Sequence, residues 1–205
     1  MPALTLAQII SETTAALGNN LNLTVSQVSL HANLAQQEVA NMLPMIELMK
    51  TSTLVLNAGS SATIVPADCG EVINVFRPNS FDSFGYRNLT LVPLRQIDNA
   101  SEGTQTGTSN RFAVSANSVL FYPTSASTDT FTMRYVGVPS DMTNLTDRPS
   151  LHTRYHAAVL YKTIENIADR VVDNARAAYY RGKFQSVMGT VPTPEAALNR
   201  AKGAE

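Results

Sequence analysis

The sequence contains no tryptophan and a single cysteine, and only 15% of its 205 residues are charged. One cysteine, Cys69, excludes an internal disulfide and a cysteine-based metal cluster. The formal net charge of -1 provides no excess of positive charge, so a general nucleic-acid-binding role is not expected. Asn, Ser and Thr supply much of the polar surface, so copies of the chain repel one another weakly, which favours permanent packing against neighbours.

Long apolar runs are also missing from the sequence. No segment reaches the ~18 consecutive apolar residues that a membrane-spanning helix requires. The first eighteen residues lack the basic start of a secretory signal and include Glu12. The sequence therefore predicts a protein that is made and kept in a cytoplasm-like compartment.

Two amphipathic helices are predicted in the N-terminal quarter of the chain. The first covers residues 5–17, where apolar residues recur at helical spacing. The second begins after Thr24, where Gln27 completes a capping box, and Pro44 is expected to end or kink it near Met42. Its predicted buried side comprises Val28, Ala32, Ala35, Val39, Met42, Leu43, Ile46 and Met49. Its predicted polar side comprises Asn33, Gln36, Gln37 and Asn41.

From Thr51 to about Pro139 the apolar period changes from helical spacing to alternation. Val, Ile, Thr and Phe become frequent and turn residues recur, which predicts a strand-rich module. In its last candidate strand, "DTFTMRYVGVP", apolar and polar residues alternate, so one face should be buried and the other solvated. "RFAVSANSVLFY" predicts a hairpin that turns at Ala116–Asn117. The polar stretch 96–110 is predicted to be a long loop of the functional or disordered kind.

A long helix is predicted over "RYHAAVLYKTIENIADRVVDNARAAYYRGKFQ", residues 154–185. One apolar stripe includes Leu160, Ile164 and Ala168, but further apolar residues project on the opposite, otherwise polar face. A helix that is apolar on two sides needs two partners. One is the chain's own core, and the other is either a neighbouring subunit or the same chain, if the helix breaks near Asp173 and folds back. The candidate subunit-interface residues are Tyr155, Val159, Ala177, Tyr180 and Phe184.

These patterns predict an α+β fold. A helical bundle, formed by the N-terminal helices and the long C-terminal helix, carries an inserted antiparallel β module. The predicted parts are N-terminal helices over 1–50, a strand-rich insert over 51–148, a long C-terminal helix or helix pair over 149–188, and an extended C-terminal tail over 189–205.

The residues that bear chemistry do not combine into a credible active site. His152 and His156 have the spacing of a two-histidine metal site, but the residues between them include no acid and include Arg154, which repels cations. A polar helix start is the favoured interpretation of this pair. Asp68 is interpreted as a turn residue after Pro66 rather than as a base or ligand. We therefore predict no catalytic residue, no cofactor and no metal site.

Two further patterns have an ordinary interpretation that is favoured over a functional one. Asp169 and Asp173 lie beside Arg170 and Arg176, which indicates a solvated ion-pair face rather than a cation site. Aromatic and basic residues interleave in "RAAYYRGKF", residues 176–184. This pattern permits stacking on nucleic acid, but the same residue types are typical of subunit interfaces, and that interpretation is favoured.

The order of parts resembles the head-to-tail adaptor proteins of tailed bacteriophages, also called head–tail connectors. In that family an N-terminal helical pair leads to a strand-rich insert, and the chain returns through a long helix. The resemblance is carried by "STLVLNAGSSATIVPADCGEVINVF", "NSVLFYPTSASTDTFTMRYVGVPSDMTNLTD" and "RYHAAVLYKTIENIADRVVDNARAAYYRGKFQSVM", and it covers residues 5–188.

The resemblance implies a non-enzymatic structural virion protein, made in the bacterial host cytoplasm and located in the neck between head and tail. It implies a homo-oligomeric ring, usually of twelve copies, that binds the portal protein and the tail or tail-nozzle proteins without contacting a membrane. Such a ring extends the channel for double-stranded DNA and offers the tail a docking surface. Candidate portal or neighbour contacts are Val191, Pro192, Pro194, Leu198 and Arg200. Candidate tail-facing or lumen-facing residues are Asp98, Glu102, Thr104, Thr106 and Arg111.

Two alternatives remain open at this point. One is another virion protein, such as a tail-completion or collar component. The other is a small metal-dependent hydrolase that uses His152, His156 and Asp68.

Overall fold

A computed structural model describes residues 3–18, 22–78, 86–101 and 105–189. Its elements confirm the α+β class. The helices are α1 (Leu6–Leu17), α2 (Val25–Met42), α3 (Leu94–Ser101), α4 (His156–Arg170) and α5 (Asn174–Met188). The strands are β1 (Met49–Leu56), β2 (Ala62–Ile64), β3 (Cys69–Pro78), β4 (Tyr86–Asn88), β5 (Thr90–Leu91), β6 (Thr106–Gly107), β7 (Arg111–Ser115), β8 (Ser118–Tyr122), β9 (Thr124–Ser125) and β10 (Asp129–Gly137).

The two N-terminal helices begin at capping boxes. The Thr5 hydroxyl accepts a hydrogen bond from the Gln8 backbone N–H, and the Gln8 side chain accepts one from the Thr5 backbone N–H. Thr24 and Gln27 repeat this arrangement at the start of α2. Each pair satisfies two backbone donors that a helix start leaves free. The predicted end of α2 near Met42 is confirmed, since Pro44 cannot continue the helical hydrogen-bond pattern.

The predicted long C-terminal helix is a helix pair. α4 ends at Arg170, and Val172 adopts the left-handed region with a φ of 61°. Asp173 then caps α5, because its Oδ1 accepts a hydrogen bond of 3.1 Å from the Arg176 backbone N–H. Of the two arrangements that the sequence allowed, the chain adopts the one in which the helix breaks near Asp173, and α5 packs back on α4.

The chain divides into two compact units, and the helical unit comprises the segments before Met49 and after Gly137. Its core joins helices from both ends of the sequence. One cluster contains buried residues of α1, α2, α4 and α5, and a second cluster lies beside the turn into α5. The first includes Leu6, Ile9, Ala32, Val39, Tyr155, Val159 and Phe184, and the second includes Leu17, Val28, Ile164, Ile167, Ala168 and Ala177.

The strand-rich unit ends at Gly137, whereas the predicted insert extends to residue 148. Residues beyond Gly137 belong to the helical unit because their backbone bonds to its helices. The backbone N–H groups of Leu6 and Ala7 donate to the carbonyls of Asp147 and Leu145 at 2.8 and 3.0 Å. These contacts satisfy two free donors at the start of α1.

The predicted faces of α2 are wrong in two places. Gln36, predicted on the polar side, is fully buried: its Nε2 donates to the Ser140 carbonyl at 2.9 Å, and its Oε1 accepts from the Ser150 N–H at 2.7 Å. These two hydrogen bonds replace the ones that the Gln36 side chain would make with water. The periodicity of the sequence cannot predict them. Conversely, Met42, Ile46 and Met49 are exposed. Met42 is the last residue of α2, and Ile46 and Met49 lie beyond the helix, where helical spacing no longer applies.

The strand-rich unit, Met49–Gly137, contains two four-stranded sheets and a short strand pair. One sheet has the order β1-β10-β3-β4, the other has the order β2-β8-β7-β5, and β6 pairs with β9. Its core includes Leu54, Leu56, Val75, Phe112, Phe121, Phe131, Met133 and Tyr135. The predicted alternation of β10 is confirmed, and β7 and β8 form the predicted hairpin around Ala116–Asn117.

Two details of the strand-rich unit differ from the prediction. The sheets are not wholly antiparallel, since β5 pairs with β7 and β6 with β9 in parallel, and α3 lies within the crossover from β5 to β7. The predicted loop over 96–110 is also wrong as an unbroken loop, because α3 and β6 occupy part of it. Ile97 is 5% exposed, and α3 packs on β7 and β8.

A search of the described helices found none with the length and hydropathy to cross a bilayer.

Candidate interaction surfaces

The structure places the candidate subunit-interface residues mostly inside the chain. Tyr155, Val159 and Phe184 belong to the larger helical core cluster, Ala177 belongs to the smaller one, and Tyr180 is half-buried against the smaller one. The predicted long helix was expected to leave its second apolar side uncovered in a single copy. That expectation is wrong, because α5 folds back on α4. The role of these five residues between copies stays a prediction, and their burial gives it no support.

A buried carboxylate ties α5 to α4. Glu165, 3% exposed on α4, accepts a 2.8 Å hydrogen bond from Nε of Arg181 on α5, and Lys162 Nζ lies 3.3 Å from its other oxygen. Arg181 also reaches Asp169 at 3.1 Å, and its pKa is raised, chiefly by the hydrogen bond with Glu165. A buried carboxylate requires such cationic partners. The folded-back arrangement therefore has a specific polar contact in addition to its apolar core.

The predicted ion-pair face is confirmed, although one of its partners differs. Asp173 lies 3.5 Å from Nε of Arg176, as the sequence predicts. Asp169 pairs with Arg181 on α5 instead of Arg170 beside it. Asp169 and Arg181 come together only because α5 folds back on α4.

Aromatic rings and a lysine form a cluster on the same helix pair, in which Tyr179 is exposed and Tyr161, Tyr180 and Lys183 are half-buried. The Tyr179 and Tyr180 rings meet edge to face at 5.1 Å, and Tyr161 lies 6.1 Å from Tyr180. Lys183 Nζ lies over Tyr179 and Tyr161 at 5.0 and 5.6 Å, and a hydrogen bond with Tyr179 is the main cause of its raised pKa. Because the chain's own lysine covers these ring faces, the cluster is better suited to contact protein than to stack on bases.

A second exposed surface lies on α2, opposite its buried side. Leu30, Leu34, Gln37 and Asn41 follow one another at helical spacing and are all exposed, Leu30 by 55% and Leu34 by 43%. We call these four residues the α2 outer face. Glu38 is the only charged residue of α2, and Lys162 holds its carboxylate at 3.3 Å within the chain. An uncharged surface with exposed leucines is typical of the centre of a protein interface.

Sequence reasoning missed the α2 outer face although the signal was present. Leu30 and Leu34 are four residues apart and do not belong to the predicted buried side. Exposed leucines on a helix whose other side is already buried are the sign to look for.

The histidine pair does not form a metal site in the described structure. His156 begins α4, so the predicted helix start is confirmed, but its side chain is 2% exposed and lies in the interior instead of on a polar surface. Its Nδ1 accepts a 3.0 Å hydrogen bond from the Leu4 N–H, so its Nε2 carries the proton and donates to the Leu151 carbonyl at 3.1 Å. Both ring nitrogens are therefore engaged. Among the described residues, no group of three or more His, Cys, Asp or Glu side chains is arranged to hold a metal ion.

His156→Leu is expected to destabilise the helical unit without changing its metal content. The substitution leaves the Leu4 N–H and the Leu151 carbonyl without their partner, at a cost of roughly 1–3 kcal/mol for each group. Urea unfolding measures the loss. His152→Ala is the control, because His152 is exposed and its Nδ1 only accepts a 3.4 Å hydrogen bond from the Arg154 N–H, at a cost of about 1 kcal/mol. A stoichiometric metal that purifies with the natural chain and is lost from the variant would revive the hydrolase alternative.

Asp68 is held by two partners. A turn does follow Pro66, since the Cys69 N–H donates to its carbonyl at 3.0 Å. The Asp68 side chain, however, pairs with Lys50 Nζ at 2.7 Å and accepts a 3.0 Å hydrogen bond from the Tyr135 hydroxyl. The bond from Lys50 lowers the pKa of Asp68, while burial and Asp68 raise the pKa of Tyr135 to about 12. A carboxylate with these partners is structural rather than a free base.

Asp68→Asn is expected to remove a pH-dependent part of the stability of the strand-rich unit. Because the folded pKa of Asp68 lies below its unfolded value of 3.8, its contribution is complete above about pH 4 and is lost as the pH falls through the folded pKa. At pH 7 the variant should lose about 1 kcal/mol, since the pair is partly exposed. Urea midpoints at several pH values between 7 and 2 should converge for the two proteins at low pH. Parallel curves for the natural chain and Asp68→Asn would contradict the assignment.

The remaining candidate residues lie in two places. Asp98 is exposed on α3, Thr106 lies in β6, and Arg111 is exposed at the start of β7. Glu102 and Thr104, and all five candidates between Val191 and Arg200, lie outside the described residues. Their roles toward tail, lumen, portal or neighbour stay predictions.

Comparison with known proteins adds one finding. A family model described as SU10 adaptor protein matches residues 4–203, and therefore spans both the helical and the strand-rich unit. A search of curated proteins found no match.

Proposed function

Because the chain belongs to the SU10 adaptor protein family, a phage head–tail adaptor family, we propose that it forms a ring between the portal and the tail in the virion neck. In this proposal the protein is structural and non-enzymatic. The ring, of twelve copies, extends the channel through which double-stranded DNA passes and gives the tail its docking surface.

The α2 outer face is the structural observation that supports a ring. Two leucines that are 55% and 43% exposed lie on a helix whose opposite side is fully committed to the chain's own core. We propose that this face packs on the next copy. A contact between two different surfaces of identical subunits generates a ring when the rotation between them closes.

The charge of the chain supports the same role. With only 15% charged residues and a net charge of -1, the surface neither repels neighbouring copies strongly nor binds phosphates strongly. A strongly basic lumen would hold the DNA backbone and slow its passage. In this proposal Asp98, Thr106 and Arg111 face the tail or the lumen, and residues 190–205 reach the portal or a neighbouring copy.

Native mass spectrometry of the chain mixed with its cognate portal tests the proposal. The expected result is a complex that contains the portal and twelve copies of the chain. The chain alone is the control, since an adaptor can remain monomeric until it meets the portal. A chain that stays monomeric in the presence of assembled portal would contradict the proposal.

A further inference from the structure

An apolar groove of about 590 Å³ opens on the strand-rich unit. Its walls include Gly70, Glu71 and Val72 of β3, the segment Leu91–Leu94, and Val114 at the end of β7. Leu91, Leu94 and Val114 are 57%, 37% and 40% exposed, so apolar side chains of this wall face solvent. The volume lies in the range of pockets that hold several side chains of a ligand.

The groove lies beside two strand edges that have no partner among the described residues. β4 pairs with β3 only at Phe76–Pro78, so the earlier part of β3 has an open edge on that side. β5 pairs with β7 only at Arg111 and Phe112, so the end of β7 is open as well. Open strand edges next to side-chain pockets are places where extended peptides bind.

The form of the open β3 edge favours a particular kind of peptide. The pairing of β3 with β10 shifts register twice, between Arg134 and Tyr135 and between Val136 and Gly137, so the strand is bent where it borders the groove. A long, regular ladder of hydrogen bonds does not fit such an edge. A segment with prolines does, because proline donates no hydrogen bond and favours an extended backbone.

The chain itself contains a segment with this chemistry. Residues 191–198 read "VPTPEAAL", with two prolines, several apolar residues and one acid, Glu195, and the basic residues Arg200 and Lys202 follow. Glu71 is the only charged residue that lines the groove among the described residues. If Leu198 occupies the groove in an extended segment, Arg200 follows at ~7 Å and matches the charge of Glu71.

We propose that the groove binds residues 191–200 of a second copy of the chain. The sixteen residues after Gly189 span up to ~50 Å when extended, which is enough to reach a neighbour. The inference rests on the proposed ring, in which each copy receives one segment and donates one, and in which the neighbour raises the local concentration of the segment. The contact then strengthens the ring in addition to the α2 outer face.

The single cysteine of the chain provides the test, because Cys69 also lines the groove. Leu198→Cys is introduced into the full chain, which is assembled on the portal and oxidised. Burial raises the pKa of the Cys69 thiol, so the oxidation is run at alkaline pH. A denaturing gel without reductant should show covalent multimers of the chain. Adding Cys69→Ala to this variant should remove the multimers, because the disulfide between copies then lacks one of its thiols. Adding Val114→Arg, which fills the groove, should reduce the yield of multimers at least tenfold.

A further variant controls for chance encounters. It combines Cys69→Ala and Leu198→Cys with Ile64→Cys, at an exposed position outside the groove, and should not give the multimers. A disulfide within one chain, or none at all in assembled rings, would overturn the inference and leave the proposed function standing. Multimers that form while native mass spectrometry finds no ring on the portal would support the groove and contradict the ring. Neither multimers nor a ring would contradict both.

Discussion

Phe184→Asp is expected to prevent folding of the helical unit instead of merely preventing assembly. Phe184 is 6% exposed and belongs to the core cluster that includes Tyr155 and Val159. Truncation of such a phenylalanine to alanine costs about 3–5 kcal/mol, and a buried carboxylate costs more. Since a domain is stable by only ~5–15 kcal/mol, soluble yield and the cooperative thermal transition should both be lost. Phe184→Ala should fold with a clearly lower transition temperature.

Tyr179→Asp is the matched control for Phe184→Asp, because Tyr179 lies on the same helix and is 59% exposed. Its transition temperature should remain close to that of the natural chain. A Phe184→Asp variant that melts like the natural chain but fails to assemble would contradict the burial of this side chain within one copy. It would then restore Phe184 as a residue of the contact between copies.

Leu30→Asp combined with Leu34→Asp is expected to abolish ring assembly and to leave the fold intact. Both leucines are exposed on the α2 outer face, so the free chain loses little packing. In a ring the two carboxylates would be buried against a neighbouring copy, and an unpaired buried charge costs several kcal/mol in each contact. Because every copy contributes one such contact, the cost recurs around the ring. Native mass spectrometry with the portal measures assembly, and thermal unfolding of the free chain measures the fold.

Val25→Asp is the control for this pair, since Val25 is 56% exposed on the same helix but does not belong to the α2 outer face. A negative charge in the first turn of a helix is also electrostatically favourable. The control should assemble normally. Normal assembly of the Leu30 and Leu34 double variant would remove the α2 outer face from the proposed contact.

The sequence predicted correctly those elements whose boundaries depend on neighbouring residues in the chain. The starts of α1 and α2 follow from threonine and glutamine at capping spacing, and the end of α2 follows from Pro44. The alternation of β10 predicted its inward side chains. The α+β class could be predicted because the apolar period changes along the chain.

Long-range contacts explain what the sequence could not predict. Gln36 and His156 are buried because backbone groups more than 100 residues away, at Ser140, Ser150 and Leu4, provide their hydrogen bonds. No local pattern reveals such partners. The break at Val172 also depends on packing, since a β-branched residue does not favour the left-handed region by itself.

The candidate interaction surface was the least predictable feature. The spacing of one straight helix suggested Tyr155, Val159 and Phe184 as contacts with a neighbour, but all three belong to the chain's own core, which includes residues of α1, α2, α4 and α5. Once the chain's own core accounts for those residues, the α2 outer face is one of the exposed apolar surfaces that can serve a contact between copies. An interface is predictable from sequence only to the extent that the monomer core is already known.

Electron cryomicroscopy of the chain assembled on its cognate portal is the sharpest test of the proposed ring. We expect a closed twelve-copy ring between portal and tail, with Leu30 and Leu34 buried between adjacent copies and Phe184 buried within each copy. A portal that carries no ring of this chain would refute the proposal.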